Sequence, residues 1–247
     1  MKQSPRKSRK IVGVAIVLAV IIILGGVGLR LLTPTSTSTI VTPPASSSIM
    51  FATSVSGSSN SLNLTSSLLA GSPPSLGSST APVTILEFGD YQCPTCGAWY
   101  NSQEALLIQN IVNTGKARLV WRDFDYYGPD SVSASEAAYA AGEQGKFWQF
   151  HDLLFQSQQT PNSGWASRQN MEKFAQQLGL NMTQFNQAFN GGNYDALINA
   201  NHSLGVHAGV TETPTFFLIG SNGKMITIAG GQPESVFEQT VASLTSG

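Results

Sequence analysis

Both cysteines of this 247-residue chain fall in one four-residue motif, Cys93-Pro-Thr-Cys96, between a short apolar run and a stretch of helical pattern. Residues 83–88 (VTILEF) read as a buried strand, and residues 94–112 read as a helix opening on Pro94. A strand that runs directly into two cysteines at a helix start restricts what the pair can do. As a staple it closes too small a loop to matter, removing only about 2 kcal/mol of unfolded-state entropy. As a zinc site it supplies two of four ligands, and His151, His202 and His207 show no paired ligand spacing. As a redox pair it is well placed, because a helix N-terminus offers free N–H groups and partial positive charge to a thiolate. Cys93 at the cap is then the exposed attacking sulfur and Cys96, one turn in, the covered resolving sulfur. A soft metal such as Cu(I), held by the two thiolates, stays open as an alternative.

Charge divides the chain. Six cations and no acid occupy the first 30 residues, which leaves seven cations against all fourteen acids in the rest. The cations do not recur as a patch in the part that folds, so nucleic acid is not indicated as a partner. Residues 11–29 (IVGVAIVLAVIIILGGVGL) carry no charge, and at about 1.5 Å per residue they match a hydrocarbon core of about 30 Å. A cleaved signal has a shorter apolar region and a small-residue cleavage site, so residues 11–32 read as an uncleaved anchor. The basic tail, residues 1–10, keeps the N-terminus cytoplasmic and sends the remainder outside. No cysteine near the span is available for lipidation.

Residues 33–80 are dominated by Ser, Thr and Pro and have no charge. They read as a disordered tether of 48 residues, with an end-to-end distance of about 35 to 42 Å. Asn63, Asn181 and Asn201 open glycosylation sequons. Residues 81–247 suffice for one domain with its own core. After the motif helix comes a strand at 117–122 (ARLVWR). A helical block follows at about 130–206, with helices over 131–155, 168–178, 182–189 and 194–204 broken at glycines and the Pro161 loop. Strands at 215–219 and 224–228 flank Asn222-Gly223, a tight-hairpin signal, and a last helix opens at 232–234 with Val236, Phe237, Val241 and Leu244 on one face. The order suits an α/β domain, a mixed sheet covered by helices.

The segments APVTILEFGDYQCPTC, GKFWQFHDLLF and GVTETPTFF together resemble the extracytoplasmic thiol–disulfide oxidoreductases like DsbA, over about residue 71 to the C-terminus. The resemblance implies a thioredoxin-like fold with an inserted helical subdomain. By position it implies that Cys93 and Cys96 are the redox pair, that Glu87 is the acid buried beneath them, and that Thr213 and a cis Pro214 face them. Pro94 and Thr95 tune the redox pair, and Thr95 stands where DsbA has histidine. No cofactor beyond the cysteine pair and no metal is implied. The implied partners are reduced exported proteins as substrates and a quinone-linked membrane protein as reoxidant. A reductase or isomerase of the same fold is the alternative direction.

Overall fold

The structure is a computed structural model that describes residues 52–55 and 59–246, with side chains from residue 63. The basic tail, the apolar span and the first part of the tether lie outside the described residues. Among the described residues no helix is long and apolar enough to cross a membrane.

Six strands form one sheet: β1 (Ala52–Val55), β2 (Ser75–Leu76), β3 (Val83–Gly89), β4 (Ala117–Asp123), β5 (Thr215–Gly220) and β6 (Met225–Ala229), in spatial order β1-β6-β5-β3-β4-β2. β3 lies at the centre, parallel to β4 and antiparallel to β5. All seven β3 residues and all six β5 residues are buried, as their nearly continuous apolar runs demand of strands covered on both faces. Alternation along β3 splits its side chains. Val83 and Ile85 pack with Trp99, Leu107, Ile111 and Phe237 on one face, and Leu86 and Phe88 pack with Val120, Phe124 and Phe217 on the other.

The helices are α1 (Ser59–Leu68), α2 (94–112), α3 (Pro129–Gly142), α4 (Phe147–Gln156), α5 (Arg168–Gln177), α6 (Met182–Asn190), α7 (Asp195–His207) and α8 (Glu234–Thr245). α2 begins as an α-helix over Pro94–Trp99 and widens to π geometry at Tyr100–Glu104 and again at Ile108–Val112. The 131–155 run is two helices, α3 and α4, parted at Gly145, whose φ of 70° suits glycine. α3 to α7 form the insert, whose core gathers Tyr91 and Trp121 from the sheet side with Phe150, Phe155, Phe185 and Phe189.

The expected extent of the tether is corrected. Residues 52–55 and 59–76 are not tether but part of the domain: β1 pairs antiparallel with β6, α1 buries Leu68 completely against Leu86, Phe88 and Val120, and β2 pairs antiparallel with β4. A helix this poor in apolar residues draws its stability from tertiary partners that local composition does not reveal. The sequon at Asn201 is closed to a glycan, because Asn201 is 2% exposed. Its amide joins Arg122 Nη1 at 2.7 Å and Asp123 Oδ2 at 3.0 Å. Asn63 and Asn181 are exposed, and Asn181 caps α6 by accepting from the Gln184 N–H.

Candidate active site

β3 ends at Gly89 and the chain turns at once into α2, so the loop 90–93 decides where the cysteines sit. Asp90 organises that loop. Its Oδ1 accepts from the Gln92 N–H at 2.7 Å, and its Oδ2 from the N–H groups of Tyr126 at 2.7 Å and Tyr127 at 3.0 Å. Burial raises the Asp90 pKa, and these hydrogen bonds oppose the rise. Two glutamines tie the same loop to the insert. Gln92 donates to Ser131 Oγ at 3.0 Å and accepts from the Asn162 N–H at 2.8 Å. Gln158 Nε2 donates to the carbonyls of Tyr91 at 2.7 Å and Cys93 at 2.9 Å. Gly97 makes room for Gln158, since a Cβ there would lie 2.0 Å from its Oε1.

Cys93 is the N-cap of α2 in extended conformation, and Pro94 follows at the first helical position. The residue is 4% exposed rather than open as its cap position suggests. It forms the floor of a surface groove of about 260 Å³ lined by Thr95, Phe124, Tyr126, Tyr127, Glu212, Thr213 and Gly230. Cys96 is wholly buried, and both sulfurs are free thiols. Their environments drive them apart. The Cys93 pKa falls from 9.0 to about 6, first through the Cys96 thiol, then, against the opposing cost of burial, through a Thr213 side-chain hydrogen bond and the backbone N–H groups of Cys96 and Thr95. Burial pushes Cys96 well up, and its bond to Cys93 adds to the rise. Thr95 thus acts through its backbone, with its side chain exposed, as is the Pro94 ring.

The Thr213–Pro214 bond is cis, and the Thr213 carbonyl accepts from Cys93 Sγ at 3.3 Å. Glu87 shares the face of Val83 and Ile85 and is 2% exposed. Burial holds its carboxyl well above the usual carboxylate range, reinforced by the charges of Glu104 and Cys93. The structure therefore gathers Cys93, Cys96, Glu87, Thr213 and Pro214 at one end of the central strands. Sequence reasoning missed Asp90, Gln92, Tyr127 and Gln158. An aspartate two residues before Gln92 is a turn signal that could have been read, whereas nothing local marks Gln158.

A family model described as thioredoxin matches residues 70–230. The chain belongs to the thioredoxin family. This thioredoxin-family chain is 36% identical over 98 residues to the probable disulfide bond formation protein D of Bacillus anthracis, covering 38% of this chain and 45% of that one. It spans less than half the length of the curated relatives it matches. BdbD from Bacillus subtilis, in its oxidised form, superposes with a TM-score of 0.64 at 20% identity, covering 71% of this chain and 94% of that one. Wolbachia pipientis alpha-DsbA1 superposes with a TM-score of 0.63 at 22% identity, covering 72% and 94%. At these identities the likeness is one of fold, and the fold is thioredoxin-like with a helical insertion, as in DsbA.

Proposed function

We propose that this chain is a membrane-anchored, extracytoplasmic thiol–disulfide oxidoreductase that donates the Cys93–Cys96 disulfide to reduced exported proteins. The observation that carries the reading is the asymmetry of the two sulfurs: Cys93, at the floor of a surface groove, is held near 6, while Cys96, wholly covered, is pushed up. In the forward reaction a substrate thiolate attacks Cys93 Sγ, the disulfide breaks, and the electron pair leaves on Cys96, which takes a proton. A second substrate thiolate then attacks the substrate sulfur of the mixed disulfide and expels Cys93 as a thiolate. A low leaving-group pKa speeds that release and stabilises the reduced enzyme, which makes the disulfide a stronger oxidant. Glu87 is the group to exchange the Cys96 proton.

A value near 6 lies between the roughly 7 of thioredoxin and the roughly 3.5 of DsbA. It supports an oxidant milder than DsbA and stronger than thioredoxin. The uncharged span at 11–29 and the cationic head support the anchor and the outward orientation, and an oxidising exterior is where a donated disulfide persists. A quinone-linked membrane protein as reoxidant rests on the resemblance to DsbA. Equilibration with glutathione followed by thiol trapping tests the direction. A potential above that of thioredoxin is expected, and one at or below about −270 mV would reverse the assignment to reductase. Thr95→His is expected to raise the potential by adding a cationic donor beside Cys93, and an unchanged value would remove Thr95 from the tuning residues.

A further inference from the structure

Cys96 must gain a proton when the disulfide opens, at the moment when bound substrate covers the groove over Cys93. Cys96 itself is fully buried, so that proton needs another way in. Glu87 is near enough for its charge to raise the Cys96 pKa but is sealed as well, and the sheet gives it no cation: its register partners are Trp121 on β4 and Phe216 on β5. Its neighbour is instead a second acid, Glu104, turned inward at the end of the first wide turn of α2 and 2% exposed. The Glu104 charge opposes ionisation of Glu87.

Neither carboxylate oxygen of Glu104 has a hydrogen-bond partner among the protein groups. Oε1 lies 3.5 Å from His151 Nε2, and the Tyr91 hydroxyl lies 3.0 Å from His151 Nδ1. Trp121, the register partner of Glu87, packs edge-on against the same imidazole, with ring centroids 4.9 Å apart. His151 comes from α4, so the helical insert supplies the basic group that the sheet lacks. The Glu104 carboxylate oxygens are themselves sealed, but the residue borders a surface cavity of about 420 Å³, together with Tyr100, Asp152 and Gln156. A cavity of that size has ample room for water beside the buried carboxyl. Two unpartnered buried oxygens are costly in a purely structural pair, and π-turns recur at functional positions in helices.

We propose that Glu104 and His151 are positioning residues that pass protons between this cavity and Glu87, so that the Cys96 proton enters and leaves on the α2 side, away from the substrate groove. The inference rests on the thiol–disulfide exchange proposed above and extends it. As the disulfide breaks, Cys96 sulfur receives the electron pair and Glu87 gives it a proton. Glu87 is then a carboxylate, and the Glu104–His151 pair returns one proton to it from water in the cavity. In the reverse direction every transfer reverses. The titratable groups facing the path are Cys93 at the cap of α2, Cys96, Tyr100 and Glu104 from α2, Glu87 from β3, Tyr91 from the loop before the motif, Asp123 at the end of β4 and Asp125 just beyond it, Tyr139 from α3, and His151 and Asp152 from α4.

The test uses the full chain and its Glu87→Gln, Glu104→Gln and His151→Gln variants, with urea unfolding to verify that each is folded. Single-turnover oxidation of a reduced two-cysteine peptide is followed from pH 5 to 8. Glu104→Gln and His151→Gln are each expected to slow the step in which Cys96 leaves by about tenfold or more near neutral pH and to raise its solvent deuterium isotope effect, while Cys93 alkylation stays as in wild type. Redox-difference infrared spectra, with dithiothreitol as reductant, should show a protonated-carboxyl band that Glu87→Gln removes and whose pH midpoint falls in Glu104→Gln. Wild-type rates at every pH together with an unmoved carboxyl band would overturn the relay. A wild-type chain inert towards the peptide would overturn the proposed function, and the infrared arm would still decide whether Glu104 governs Glu87. Because either variant reads the path from its own end, failure of one to fold leaves the other decisive.

Discussion

Cys93 and Thr213 are 120 positions apart in sequence, yet Cys93 Sγ donates to the Thr213 carbonyl at 3.3 Å. The antiparallel register of β3 with β5, which sets Phe88 opposite Thr215, carries the Thr213–Pro214 segment up to the loop that holds Cys93. A sulfur at a helix start becomes a site only when that second strand end arrives.

Because the Cys96 thiol, the Thr213 side chain and the N–H groups of Cys96 and Thr95 stabilise its thiolate, Cys93 of the reduced protein should be alkylated with a pH midpoint near 6, as read by iodoacetamide kinetics and mass mapping. A midpoint near the free-thiol value of about 8.5 would contradict the site geometry. Because the folded pKa lies below the unfolded one, Cys93 adds stability that is fully present above 9.0 and is lost as pH falls through about 6. Reduced protein should weaken against a Cys93→Ser variant over that window. Thr213→Val, which keeps the carbonyl and removes the hydroxyl, should move the midpoint upward by up to about one unit.

Glu87→Gln should slow turnover while stabilising the fold. The folded pKa of Glu87 is raised above 4.5, so the native state holds the proton more tightly, and its stability falls as pH rises from 4.5 towards the folded value. The variant has no charge to bury. Its melting temperature should match wild type near pH 4 and exceed it progressively at higher pH, and a constant difference across pH would show that the carboxyl is not desolvated.

Gln158→Ala removes the two bonds that hold the carbonyls of Tyr91 and Cys93. A loss of about 1 to 3 kcal/mol in urea unfolding is expected, since each net hydrogen bond contributes about 1 kcal/mol and the bared Tyr91 carbonyl adds desolvation cost, while the Cys93 carbonyl keeps the Gly97 N–H. The Cys93 loop should also exchange its amide hydrogens faster. A variant as stable as wild type would mean that the insert does not brace the loop.

Protease added to intact cells should release a soluble, redox-active fragment by cutting within the first part of the tether, before β1, and leave β1 and the domain from residue 59 onward resistant. Protection of the full-length chain while surface controls are digested would overturn the outward orientation. Cleavage concentrated within residues 59–76 would show that α1 and β2 do not belong to the domain.

What the sequence determined by itself was local and periodic. The apolar run at 83–88, the proline after Cys93, the Asn222-Gly223 turn and the glycine breaks between helices specify elements through short-range physics, and all of these appear where the chain places them. Close spacing of Cys93 and Cys96 at a helix start already pointed to thiol chemistry. Tertiary structure decided what depends on partners remote in sequence. Which face Glu87 occupies was undecided by its apolar neighbours Leu86 and Phe88, and the pleat set it with Val83 and Ile85 beneath α2. Gln158 and Glu104 had no local mark, and nothing around His151 in the sequence showed that it would meet Glu104, because a buried polar side chain is defined by what it meets across the fold. The Ser/Thr-rich residues 59–68 looked unable to fold because their apolar partners, Leu86, Phe88 and Val120, belong to strands that form later in the chain. Burial and long-range pairing are collective properties, so they could be read only once the sheet had brought those strands together.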